Sequence, residues 1–174
     1  MKTIVKPKAD EYPAYASIYI DLVPDDGLVL KHLADNSVLN INLISSLSEE
    51  QLLFRYAKNK WTIKEILLHL IDDERIYVYR ALRFARNDAK ELPGFDQDDY
   101  VAYSNANKRS LASLLEEYRT TREATINFFD NLEDTDFAKS GIADGKRATV
   151  RALLYHITGH EMRHMNIIKE RYLQ

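Results

Sequence analysis

The sequence predicts an all-α fold, a four-helix bundle, on three observations. Four segments, 28–46, 62–87, 110–131 and 149–172, carry apolar residues at helical spacing. None of the connecting stretches shows the strict alternation of a half-buried strand. Only five glycines and four prolines interrupt the 174 residues, and Pro7, Pro13 and Pro24 all fall within the first 24. Four amphipathic helices bury their stripes most simply against one another.

Residues 1–24, rich in proline, are expected to form an irregular arm laid over the fold. A first helix begins after the cap-like "PDDG". The second has a clear start, because Thr62 and Glu65 in "WTIKE" make a capping box just after Trp61. It ends near Asn87, where "NDAKELPGFDQDD" breaks the period. A third helix follows Ser110, "SGIADGKRAT" reads as a loop, and the fourth helix starts at Thr149. The connection between the second and third helices is the longest, and its stretch from Phe95 to Tyr103 is expected to cap the open end of the bundle. Without repeats, low-complexity tracts or a linker, residues 1–174 read as one domain.

A net charge of −3, with no block of Lys and Arg, argues against nucleic acid as a partner. No apolar run reaches the roughly 18 residues of a membrane span, and the start lacks the apolar stretch of a signal peptide. A cytoplasmic location is therefore expected. The absence of cysteine excludes a disulfide framework, a thiolate metal site and a cysteine nucleophile. Any thiol chemistry has to bring its thiol from outside.

The segment "YHITGHEMRHMNIIKERY" holds three of the five histidines, His156, His160 and His164, spaced four apart. Imidazoles at that spacing lie on neighbouring turns of one helix face and can converge on a metal. Val150, Leu153, Leu154, Ile157, Met165 and Ile168 define the apolar stripe. From its centre His164 is rotated by about 40°, His160 by about 80° and His156 by about 120°. The inward pair is His160 and His164, while His156 drifts toward solvent or toward a supporting position. A third ligand has to come from another helix. His69 in "ILLHLIDDE" sits at the edge of its stripe and suits a reach across a groove; His32 on the first helix has no comparable support.

Glu74 and Glu161 fall near the centres of apolar stripes, an expensive place for a charge. Each is read either as a hydrogen-bonded structural carboxylate or as a group that fixes a ligand imidazole or takes a proton. Asp73, one turn after His69, has the same two functional options. Tyr77, Tyr100 and Tyr103 are read as core packing, with pocket lining as the alternative.

Taken together, Trp61 with its capping box, "HLIDDE", "LPGFDQDDY" and "ATVRALLYHITGHEMRHMNIIKERY" resemble the DinB-like superfamily of metal-binding four-helix bundles. The resemblance extends over nearly the whole chain. In that family one histidine of the second helix and an HxxxH pair of the last converge on a divalent metal. Carried over, the ligands are His69, His160 and His164; Glu161 or Asp73, from the reading of the residues above, is the supporting group or base. The resemblance implies one zinc, nickel, iron or manganese ion per chain. It further implies transfer of a small thiol, bacillithiol-like, to an electrophile by a homodimer. A metal-dependent hydrolase is the alternative within the family, and a non-catalytic helical interaction module with incidental histidines is the alternative outside it. Di-iron readings fare worse. The third helix carries no histidine for a hemerythrin-like site, and only one ExxH motif, Glu161 to His164, exists for a ferritin-like one.

Overall fold

Four long helices run α2 (Val29–Ser45), α4 (Ile63–Ala85), α6 (Leu111–Asp130) and α7 (Val150–Ile167), and they pack as a four-helix bundle. They come from a computed structural model describing residues 1–173; Gln174, the last residue of the expected domain, lies outside the described residues. Shorter helices complete the set: α1 (Ser17–Ile20), α3 (Glu49–Leu53) and α5 (Gln97–Tyr103). A π-helical turn, Ile168–Tyr172, extends α7. Among the described residues no helix is long and apolar enough to cross a membrane.

Helix starts follow local chemistry. Thr62 and Glu65 close a reciprocal capping box on α4, Ser110 caps α6, and Thr149 caps α7. Ser48 and Gln51 form a second capping box that begins α3, a helix the apolar period alone did not reveal. The expected loop "SGIADGKRAT" is instead a β-hairpin, β1 (Ser140–Ala143) against β2 (Lys146–Thr149), with Ala143 opposite Lys146. Its two-residue turn, Asp144–Gly145, has both φ angles positive, at 53° and 67°, the conformation such hairpins need. The Asp-Gly pair carried this signal in the sequence. The hairpin pins the long connection, since Leu92 exchanges backbone hydrogen bonds with Ile142 and Asp144.

The N-terminal arm is less irregular than expected. Two 3-10 turns, Ala9–Glu11 and Ala14–Ala16, lead into α1, which lies across α7. That crossing depends on Gly159. A Cβ there would sit 2.0 Å from the Tyr19 carbonyl oxygen. Glu11 holds the arm down through Arg151 and Thr149. Tyr155 adds a hydrogen bond to the Ile4 carbonyl at 2.7 Å.

The apolar core is split in two by a polar layer. One half gathers Leu30, Leu33, Phe84, Phe129 and Leu153; the other gathers Ile44, Leu67, Leu114, Met165 and Ile168. Between them lies Arg122, 2% exposed. Its guanidinium donates to Glu74 at 2.9 and 3.0 Å, to Glu161 at 2.6 and 3.2 Å and to the Leu33 carbonyl at 3.0 Å. Tyr118 donates to Glu161 and accepts from Asn40 at 3.3 Å. Every long helix contributes a member. A slide or rotation of any one would strand a buried charge, so the layer fixes helix register.

Candidate metal centre

His69 on α4 meets His160 and His164 on α7 at the level of the polar layer but on another face of the helix pair. His160 and Glu161 are adjacent, so their side chains leave α7 about 100° apart. The Nε2 of His160 lies 3.1 Å from Nε2 of His69 and 3.1 Å from Nε2 of His164. One ligand atom from each residue falls within 4.8 Å of the other two. His69 and His160 are buried and His164 is half-buried.

Three features fit this cluster to a divalent cation. First, nitrogens held about 2.0–2.1 Å from one ion stand roughly 2.9–3.4 Å apart, which matches the two separations found. A single imidazole lone pair takes one good hydrogen bond, whereas here two nitrogens press on the same lone pair. Second, two of the donors, His69 and His164, are held neutral. Burial, aided by the neighbouring His160, lowers His69 to about 4, and burial with its two histidine neighbours lowers His164 to about 2. Third, the buried Asp73 Oδ2 has no well-formed hydrogen bond, yet it lies 3.2 Å from His160 Nδ1. A carboxylate at Nδ1 selects the tautomer whose Nε2 lone pair faces the cluster. Burial alone would raise the Asp73 carboxyl, but the His160 ring beside it holds it below the usual carboxylate range.

Aromatic rings wall the cluster. Trp61 lies 4.7 Å from His69 and stacks on His164 at 6.3 Å, centroid to centroid, while Tyr19 of the arm covers His160 edge-on at 5.2 Å. Two pockets border it. One, about 240 Å³, is lined by His160, Asp73, His156, Tyr77, Arg80 and Lys146 among others. The second, about 300 Å³, is lined by His164, Trp61, Tyr56 and Tyr172. Gln97 of α5 borders both, as the expectation of a capping segment required.

The chain matches the model of the DinB superfamily over residues 39–168. It belongs to the DinB superfamily. Among solved structures the DinB fold recurs in YfiT from Bacillus subtilis, described as a probable metal-dependent hydrolase with an unusual four-helix bundle topology. That match has a TM-score of 0.68 and 16% identity, and covers 96% of this chain and 91% of YfiT. No curated protein matches the chain.

The other candidate residues of this DinB chain are placed as follows. His156 is not turned to solvent. It is buried, stacked on Tyr77 at 4.0 Å between ring centroids, with Nε2 4.0 Å from Asp73 Oδ2. Of the two places the helix phase left open for it, solvent is excluded and a supporting position beside Asp73 fits, because the arm as well as α4 covers α7. His32 pairs with Asp26 at the surface, 2.9 Å away. Glu74 and Glu161 face Arg122, and neither lines the two pockets. Tyr77 is buried and also lines a pocket, but Tyr100 and Tyr103 are exposed and do not pack in the core. Both lie on α5, whose buried side is held by Val101. Arg80, Arg122 and Trp61 as a wall went unremarked in the sequence, since a lone arginine on a helix usually faces water.

Proposed function

We propose that the chain is a metal-dependent enzyme that transfers a small thiol to an electrophile, with His69, His160 and His164 as the metal ligands. The observation that carries the reading is the pair of separate pockets meeting at one histidine cluster, since a transfer needs room for two reactants. Zinc, nickel, iron and manganese all suit three imidazoles. A divalent ion held there is a Lewis acid that lowers the pKa of a thiol or of water.

The remaining roles fall to the chain itself. Asp73 positions His160 through Nδ1. Trp61 and Tyr19 limit water around the cluster. The pocket beside Asp73 and His160 orients one reactant, and the aromatic pocket beside His164 takes the other. Of the two carboxylates read as candidate bases, Asp73 borders the reactants, whereas Glu161 has its oxygens taken by Arg122 and Tyr118. Asp73 is therefore our proton-accepting candidate, and Glu161 serves the helix register. The absence of cysteine fits a thiol delivered as a co-substrate, and a cytoplasmic setting would keep it reduced.

Hydrolysis is the second reading, favoured by the description of YfiT, which shares the fold. The two separate when metal-loaded protein is given low-molecular-weight thiols with a chromogenic electrophile, and in parallel chromogenic esters and amides. Thiol-dependent turnover above background supports transfer; ester or amide turnover without any thiol effect supports hydrolysis.

We further propose a homodimer. The support is a groove of about 490 Å³ between α4 and α6, lined by Val78, Tyr79, Leu82 and Phe128, with Tyr79 49% exposed. Sedimentation at micromolar concentration should give twice the 20.2 kDa chain mass; the single-chain mass would reject the dimer.

A further inference from the structure

Among the described residues Arg80 on α4 is a buried cation without an ion pair. It is 7% exposed, and its one hydrogen bond runs from Nη2 to the Pro93 carbonyl at 3.3 Å. A guanidinium has five N–H donors, so most of its capacity is unused. Among the described residues the other buried cations are matched: Arg122 by Glu74 and Glu161, Lys64 by Glu49. Leaving a buried charge unpaired is costly unless something else neutralises it.

The guanidinium borders the pocket that reaches His160. Asp73, Tyr77 and Arg80 are spaced i, i+4, i+7 and so line one face of α4. Seven residues of helix separate the Asp73 end from the Arg80 end by about 10 Å. The Tyr77 ring lies 5.0 Å from the Arg80 Cζ and the Phe95 ring 5.8 Å, which fixes the guanidinium while leaving its edge free. Two carboxylates also line this pocket. Asp144 is neutralised by the salt bridge from Lys146, and Asp73 is at the far end beside His160. Arg80 is thus the cation at its end that no carboxylate contacts directly.

We propose that Arg80 is the anion-recognition residue of this pocket, and that the reactant placed there carries a carboxylate at the end away from its reacting group. The planar fork of a guanidinium matches a carboxylate in bidentate fashion. A phosphate dianion fits worse, because Arg80 supplies a single charge. This names a substrate class for the pocket and rests on reading that pocket as the substrate site.

The test is a titration of benzoate and its neutral counterpart benzamide into the full chain, both as purified and after chelation of metal, followed by ligand-observed NMR. Chelation separates the two ideas, because an Arg80 subsite binds benzoate with or without an ion whatever reaction the ion supports. Wild-type protein should bind benzoate at least about tenfold more tightly than benzamide in both states. Arg80→Gln should abolish that preference, whereas the charge-conserving pair Lys146→Gln with Asp144→Asn should change it less than about threefold. Equal binding of benzoate and benzamide by chelated wild-type protein would overturn the proposal without recourse to any variant. So would a preference lost in the Lys146→Gln, Asp144→Asn pair but kept in Arg80→Gln.

Discussion

Asp73 and His160 form a buried carboxylate–imidazole pair: Asp73 Oδ2 lies 3.2 Å from His160 Nδ1, while Nε2 of the same ring is 3.1 Å from His69 and from His164. One side chain of α4 thus sets the tautomer of a ring on α7. Removing it should leave the three nitrogens in place but loosen the central one. Asp73→Ala should weaken metal binding by about 10–100-fold, and Asp73→Asn by less, since an amide oxygen still accepts from Nδ1–H. Competition against a chromophoric zinc chelator measures this. Unchanged affinity in Asp73→Ala would remove Asp73 from the metal centre.

The metal should not be what folds the bundle. Two apolar half-cores and the Arg122 layer already join all four long helices. His69→Ala is therefore expected to lose metal and keep nearly all its helical circular dichroism at room temperature. Loss of the helical signal would make the ion structural.

Arg122 offers a sharper test of what holds the helices in register. Arg122→Met leaves Glu74 and Glu161 buried without their cation, and should cost about 3–5 kcal/mol by urea denaturation. Adding Glu74→Leu and Glu161→Met should recover most of that loss, because the removed charges no longer need solvation. A single variant as stable as wild type, or a triple variant no better than the single, contradicts this account.

Gly159 sits between His156 and His160, where a Cβ would meet the Tyr19 carbonyl oxygen at 2.0 Å. Backbone on both sides cannot yield cheaply. Gly159→Ala should push α1 off α7, cost about 2 kcal/mol and lower Tm by about 4–8 °C. Limited proteolysis should then cut the arm before Leu28 faster than in wild type. An unchanged Tm and digestion pattern would show that the arm adapts.

Much of this was legible in the sequence where one face of one helix decided the outcome. Thr62 and Glu65 announced the start of α4, and the spacing of His160 and His164 with His69 at a stripe edge led to the residues that cluster. The reading stayed open where two surfaces meet one helix. Helix phase left His156 between solvent and a supporting position, because the arm that covers it is not an amphipathic helix and its burial leaves no period in α7. Arg122 gave no signal for a different reason. Its meaning lies in partners 48 and 39 residues away, Glu74 and Glu161, and local pattern does not pair them. The hairpin, by contrast, was announced by Asp144–Gly145 and overlooked only because its strands are four residues long.

The central claim is a divalent ion held by His69, His160 and His164. Elemental analysis of protein made without a histidine tag, after incubation with zinc, nickel, iron or manganese and removal of the excess, tests it most directly. The account predicts about one ion per chain in wild type and in His156→Ala, and almost none in His69→Ala, His160→Ala or His164→Ala. Wild-type protein without a stoichiometric ion, or His69→Ala retaining one, would contradict it.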